Sequence, residues 1–234
     1  MMSIGLNSVR QAMQYVAMLA VVSCFVVGSS VAATVTQQWD LDGNEVDIKQ
    51  PRSDFFERSI KHLAELPGFD CRFDQLLAFS DGGGKHYSGT LAVLKPKRFR
   101  WQYKQPYEQL YIGDGKMIWH YEPDLMQAER LNNLEAVDSS VMGLLDGSIK
   151  MSDIKMYKRE YDAKLDIQRY QVRLKDSPKV WLGFSKYGDL VYIEREDMLG
   201  NSNRMRLSQC SYIAPAKKLF SFTPPAGVDV LDMR

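Results

Sequence analysis

Residues 94–127 read LKPKRFRWQYKQPYEQLYIGDGKMIWHYEPDLMQ, and their spacing is that of short β-strands. Phe99, Trp101 and Tyr103 alternate with Arg98, Arg100 and Gln102, so the aromatic rings share one face of a strand and the polar side chains the other. Leu110 and Ile112 repeat the period. Ile118 to Tyr121 then form a later strand that carries Trp119 and Tyr121. Lys95-Pro96, Gln105-Pro106 and Asp114-Gly115 separate these runs as turns, and Pro123-Asp124-Leu125 begins another. A sheet whose concave face carries Phe and Trp can bury apolar ligand surface. Periodicity alone favours the plainer alternative, in which these aromatics fill an ordinary core.

The same period extends outward. Upstream it starts at Phe69 and continues through Leu91 and Val93, with a hairpin turn at Asp81-Gly82-Gly83-Gly84. Before it, Ser53 or Asp54 can cap a helix, and Asp54-Phe55-Phe56-Glu57 has capping-box spacing. Phe56, Ile60, Leu63 and Ala64 then fall on one helical face, and Pro67-Gly68 ends the helix. Downstream the period breaks between Leu131 and Ile154. There Ser139 to Leu145 (SSVMGLL) reads as a short apolar helix closed by Asp146-Gly147. Strands resume with Tyr170, Val172 and Leu174, then Val180, Leu182 and Phe184. A turn at Lys186–Asp189 leads to Val191 and Ile193, then Met205 and Leu207, and Leu219 to Phe222 close the pattern before Pro224-Pro225. The expected architecture is one α+β domain: a curved antiparallel sheet, one N-terminal helix and a short helical insert.

The first 33 residues are expected to be an export signal. Arg10 marks a short positive region, Tyr15 to Val27 is mostly apolar, and Ser30-Val31-Ala32-Ala33 supplies small residues for cleavage. The apolar run is about 13 residues, short of the roughly 20 that span a bilayer. Two alternatives stay open: a retained anchor, and lipidation at Cys24, since Val21-Val22-Ser23-Cys24 loosely fits a lipobox. Residues 34–52 are polar and aperiodic and read as a loose extension; the domain proper is expected over 53–234. Arg10 is the only charged residue in the signal, so 29 basic and 29 acidic residues follow it. That balance gives no electrostatic footprint for nucleic acid. Cys71 and Cys210 would remain after export, either as a disulfide worth about 4–5 kcal/mol in the loop-entropy account or as two buried thiols.

Catalytic and metal motifs fail on inspection. Asp40-Leu41-Asp42-Gly43-Asn44 opens like a calcium loop, but Glu45 stands where Gly is needed and Pro51 where the bidentate Glu is needed. Gly82-Gly83-Gly84-Lys85 lacks the earlier Gly of a phosphate loop, where Phe79 stands, and the following Ser or Thr, where His86 stands. His62, His86 and His120 fall in three different elements without ligand spacing. No nucleophile elbow and no His-Glu-x-x-His occurs. No catalytic residue, metal or cofactor is therefore expected.

The stretch at 94–127 closely resembles the LolA family of periplasmic lipoprotein carriers. The resemblance rests on Phe99-Arg100-Trp101, Pro106, Asp114-Gly115-Lys116, Trp119, Tyr121, Pro123, Leu125 and Gln127. Phe69–Gln75 (FDCRFDQ) and Phe220–Asp229 (FSFTPPAGVD) agree with it at either end. It implies an incomplete, open antiparallel β-barrel of about 11 strands, with an N-terminal helix and short lid helices over an apolar cavity. It also implies a non-enzymatic, monomeric carrier. Such a carrier takes triacylated lipoproteins from an inner-membrane ABC transporter complex and gives them to the outer-membrane acceptor LolB. On this resemblance Leu91, Val93, Phe99, Trp101, Trp119 and Tyr121 are candidates for the acyl-chain cavity, and Val141, Met142, Leu144 and Leu145 for the lid. The family often has an Arg before the Pro that precedes the Phe-x-Trp strand, where it holds the empty cavity shut. Here Lys95 stands there, without the planar fork, and Arg98 is the alternative latch.

One buried methylene is worth about 0.8 kcal/mol, so a long acyl chain offers on the order of 10 kcal/mol. A carrier must still release it, and a cavity partly filled by its own lid weakens net binding. Two rival functions remain: a LolB-like acceptor anchored through Cys24, and an envelope enzyme that uses the pocket for a lipid or glycan.

Overall fold

A computed structural model describes residues 54–131, 139–175 and 177–232. The signal, the Cys24 alternative, the extension and the failed calcium loop lie outside the described residues. Helix α1 spans Asp54–Glu65. The strands are β1 Gly68–Ala78, β2 Gly84–Leu94, β3 Arg98–Gln105, β4 Gln109–Asp114, β5 Ile118–Glu122 and β6 Gln127–Leu131. Helix α2, Ser139–Leu145, follows. Then come β7 Ile154–Asp162, β8 Ile167–Leu174, β9 Lys179–Phe184, β10 Leu190–Glu196, β11 Ser202–Ser211 and β12 Asp229–Asp232.

The twelve strands among the described residues form one sheet in the order β12-β6-β5-β4-β3-β2-β1-β11-β10-β9-β8-β7. The sheet stays open, with β12 and β7 as its two edges. Neighbours are antiparallel except β12, which pairs parallel to β6 (Asp229 with Gln127). The family resemblance implies about eleven strands. The twelfth is a four-residue edge strand, exposed along its length, with no burial period to announce it. Leu219 to Phe222, which alternate like a strand, instead belong to a 3-10 turn at Lys217–Phe220 and the segment after it.

The two faces of the sheet have different cores. On the inner face, Phe73, Leu91, Val93, Phe99 and Trp101 from one half join Tyr170, Val172, Leu182, Phe184 and Ile193 from the other. Helix α1 fills the space between the halves through Phe56, Ile60 and Leu63. Phe56 meets Tyr170 at a tilt of 40° with ring centroids 4.7 Å apart, and meets Phe184 edge-on at 6.0 Å. Ser59, not Ala64, completes the buried helix face. Its hydroxyl donates to the Phe55 carbonyl at 2.9 Å, so a polar residue is tolerated there.

The outer face has a smaller core under β2–β6. Ala92, Leu110, Ile112 and Ala128 are buried there together with Phe220, which the 3-10 turn after β11 lays over β3 and β4. On the other half of the outer face, Glu194 accepts from Arg169 at 2.5 Å, Arg204 at 2.8 Å and the Tyr192 hydroxyl at 2.9 Å. A disulfide joins Cys71 on β1 to Cys210 on β11 across 139 residues of chain. It sits where the β1–β11 register shifts between Asp70 and Arg72.

Candidate ligand cavity and its helical plug

Helix α2 stands over the inner face. Val141, Met142, Leu144 and Leu145 are between 1% and 4% exposed, and they belong to the same cluster as Leu91, Val93, Phe99 and Trp101. The candidate cavity residues on β2 and β3 and the candidate lid residues therefore meet, and they fill one another's space. A helix of seven residues is too short to be stable by itself in water. It is held by this burial and by its C-terminal end. The Asp146 amide donates to the Met142 carbonyl at 2.8 Å, and Gly147 takes a left-handed conformation with φ +76°, the usual helix stop. The Ile149 amide and the Ser148 hydroxyl both donate to the Gly143 carbonyl, at 2.9 and 3.2 Å.

Lys95 reaches the base of this arrangement. Its ammonium donates to the carbonyls of Leu63 and of Ala64, the latter at 2.9 Å, in the last turn of α1. Those carbonyls carry the negative end of the helix dipole. Its stem also lies under the end of α2, where a Cβ added at Gly147 would stand 3.5 Å from Lys95 Cδ, Cε and Nζ. Burial pushes the Lys95 pKa down, and the Asp146 carboxylate partly offsets this. Lys95 thus touches the C-terminal ends of both helices.

Three of the sequence expectations are corrected. Arg98 is not at the latch: it pairs in register with Asp114 and packs beside Gly115, at the turn between β4 and β5. Trp119 and Tyr121 do not line the cavity. Across the strands, Trp101 is opposite Tyr111 and Tyr111 opposite His120, whereas Arg100 is opposite Ile112 and Ile112 opposite Trp119. Trp119 and Tyr121 therefore point to the outer face. There Phe222 packs against them at 5.6 and 5.3 Å, and Arg130 lies 4.9 Å over Trp119. The alternation on β3 holds, and the register across the two hairpins carries Trp119 and Tyr121 to the opposite face from Trp101.

Beside α2 the inner face is open. A hollow of about 460 Å³ remains there, lined among others by Gln75, Tyr87, Trp101, Tyr103, Tyr111 and Val141. Tyr103 is its centre. Its ring stacks parallel to Trp101 at 6.0 Å and meets Phe73, Tyr87 and Tyr111 edge-on at 5.1, 5.9 and 6.4 Å. Burial, with the neighbouring Tyr111 and Tyr87 adding to it, pushes the Tyr103 pKa well above the ordinary tyrosine value, so the ring is neutral at all ordinary pH. Of these, Tyr103 was visible in the sequence on the Phe99–Trp101 face. Gln75, Tyr87 and Tyr111 come from other strands, and only the register brings them in. Gly113 supplies room further in: a Cβ there would stand 2.3 Å from the Phe99 ring.

The histidines remain apart. His62 faces Asp189 at 3.6 Å, His86 faces Asp74 at 3.8 Å, and His120 faces Glu122 and Glu129 at 3.3 Å each. Among the described residues, no group of three or more His, Cys, Asp and Glu is placed to hold a metal ion, and no helix is long and apolar enough to cross a membrane.

An open sheet with an apolar inner face, stoppered by a short helix beside a half-open hollow, defines a class of proteins that enclose apolar ligands. The family model described as outer membrane lipoprotein carrier protein LolA matches residues 64–223. An outer-membrane lipoprotein carrier protein of Chromobacterium violaceum is 35% identical over 161 residues, covering 64% of this chain and 74% of that protein. One from Methylibium petroleiphilum is 32% identical over 174 residues, covering 72% and 85%. The crystal structure of a LolA superfamily protein from Nitrosomonas europaea aligns with a TM-score of 0.44 at 16% identity, covering 71% of this chain and 97% of that one. With more than half its length matched by the family model, the chain belongs to the LolA family.

Proposed function

We propose that this protein is a soluble periplasmic carrier that shields the acyl chains of lipoproteins and delivers them from the inner to the outer membrane. The observation that carries the reading is the burial of Val141, Met142, Leu144 and Leu145 in one cluster with Leu91, Val93, Phe99 and Trp101. The inner face is apolar enough to hold hydrocarbon, and the protein fills it with its own helix when empty. The open hollow of about 460 Å³ is the size of a small-ligand site. A triacylated anchor needs more room, and the room is where α2 stands. Loading then swings α2 out of the mouth, and the energy of displacing it is subtracted from the acyl-chain affinity. Lys95, which touches the ends of both helices, is the latch of the empty form.

In this reading the donor is an inner-membrane lipoprotein-releasing ABC transporter complex, the acceptor is a LolB-type outer-membrane protein, and the carrier works as a monomer without catalysing any reaction. Relatives named as carriers favour the soluble form over an anchored acceptor. The test is release from spheroplasts. Added protein is expected to bring newly made lipoproteins into the supernatant in complexes of defined stoichiometry. Retention of all lipoproteins in the membrane, at any concentration of added protein, rejects the proposal.

A further inference from the structure

Gln75 is a polar residue in an apolar row. Phe73, on the same face of β1, and Met205, directly opposite on β11, both belong to the inner core. Gln75 is 6% exposed among them. Its amide nitrogen donates to Asn203 Oδ1 at 2.9 Å. It also donates to the Tyr103 hydroxyl, a contact that opposes the upward push of burial on that phenol. Both amide hydrogens are thereby engaged, which fixes the side chain in one orientation. The carbonyl oxygen, Gln75 Oε1, is buried without a hydrogen-bond partner.

Trp101 on β3 is in the same condition. It is 6% exposed, and its indole Nε1 is buried without a hydrogen-bond partner. A buried indole N–H usually finds an acceptor, and a buried donor or acceptor left unpaired costs stability. Gln75 and Trp101 border the same hollow of about 460 Å³. Tyr103 links them, bonded to Gln75 and stacked on Trp101. One side chain offers an acceptor and the other a donor, and they do not satisfy each other. Val141 of α2 borders the hollow as well, so displacing α2 widens the space around them. The cost of the two unpaired groups falls on the closed, empty form and is relieved when a ligand supplies their partners.

A free acceptor and a free donor in an aromatic wall complement one uncharged group that carries both an N–H and a C=O, a secondary amide. An ester has no donor for Gln75, and neither has a carboxylate; an ammonium has no acceptor for Trp101. A triacylated cysteine holds two of its chains through esters and the third through an amide on its nitrogen. We propose that the hollow is the subsite for this amide-linked acyl group, whose N–H donates to Gln75 Oε1 and whose C=O accepts from Trp101 Nε1, with the hydrocarbon running onto the inner face that α2 vacates. The proposal rests on the carrier reading and adds to it a preference for cargo acylated on nitrogen. A cargo with a free amino terminus brings an ammonium instead and leaves Trp101 unpaired.

The processed protein is titrated with a fluorescent acyl-chain probe in competition with three ligands of similar length: N-methyldecanamide, methyl decanoate and dodecane. Dodecane reports the apolar cavity alone, so the other two are read as ratios to it. Gln75→Met keeps the length of the side chain and removes its oxygen. It should weaken the amide about tenfold, roughly the worth of one hydrogen bond, and leave the ester-to-dodecane ratio as in wild type. Trp101→Phe should weaken amide and ester alike, about tenfold relative to dodecane, since both present a carbonyl. Circular dichroism and thermal melting establish that each variant is folded. A measurement on wild type needs no variant: the carbon-13-labelled carbonyl of bound methyl decanoate should absorb at a lower infrared frequency than in a hydrocarbon solvent, which a purely packing role of the indole would not cause. An amide-to-ester ratio unchanged in Q75M overturns the proposal, as does a carbonyl that absorbs as it does in hydrocarbon; in either case binding of dodecane and the ester leaves the carrier reading standing. Failure of wild type to bind any of the three ligands overturns the carrier reading and the proposal together.

Discussion

Replacing Leu145 with Asn separates a plug from a passive loop. Leu145 is 1% exposed in the inner core. Removing a buried leucine side chain costs about 2–5 kcal/mol, and a buried amide adds to that unless it finds partners. If α2 only completes the fold, this cost appears as lost global stability and acyl-chain affinity does not rise. If α2 is a plug displaced by cargo, the cost falls on the closed form, and the open, binding-competent population grows. About 3 kcal/mol is about a hundredfold in that ratio. Apparent affinity rises by the same factor for as long as the closed form predominates. The assay is a fluorescence titration with an acyl-chain probe, run beside thermal melting. The control is Leu182→Ala, which is also fully buried and removes a comparable amount of core from β9 rather than from α2 itself. L145N should bind the probe tens to a hundredfold more tightly and release it more slowly to an acceptor, whereas L182A should bind no more tightly than wild type. Equal affinities for wild type and L145N, with only the melting temperature lowered, refute the displaced-plug mechanism.

Lys95→Met removes the donor to the Leu63 and Ala64 carbonyls. It should loosen the closed form by roughly 1.5–3 kcal/mol, the usual worth of a charged hydrogen bond, and strengthen probe binding, with Lys95→Arg restoring wild-type behaviour. Gly113→Val forces a side chain into the Phe99 ring. It should cost about 1–3 kcal/mol in denaturant unfolding, and Phe99→Leu in the same chain should recover part of that loss. Reducing the Cys71–Cys210 disulfide opens a loop of 139 residues. It should cost about 4–5 kcal/mol in the loop-entropy account, read as a melting temperature about 10 °C lower, while thiol titration of the unreduced, denatured protein, processed to remove the signal with Cys24, should find no free thiol.

The strands around Trp101 were legible because one face of β3 is apolar and the other charged, and turn residues stand where the chain reverses. Helix α2 was legible by contrast, as the apolar run that breaks the period of two. What escaped the sequence was parity and register. Trp119 and Tyr121 look like Phe99 and Trp101 by residue type, yet two hairpins place them on the outer face, under Phe222. The outer core itself was hidden, because Phe220 and Phe222 sit in an irregular segment where no period reports burial. Tyr87 and Tyr111 join the hollow through cross-strand pairing, which single-strand alternation does not specify. The Lys95 contacts required knowing that the ends of two helices meet above one turn.

The central claim is that the inner face holds lipoprotein acyl chains once α2 has left it, and native mass spectrometry of the protein recovered from the periplasm tests it most directly. The account predicts two species. One is the processed chain alone, and the other is the same chain bound to one triacylated lipoprotein, the second being enriched in L145N. A single species at the mass of the processed chain in both wild type and L145N, under conditions where lipoproteins are being exported, would contradict it.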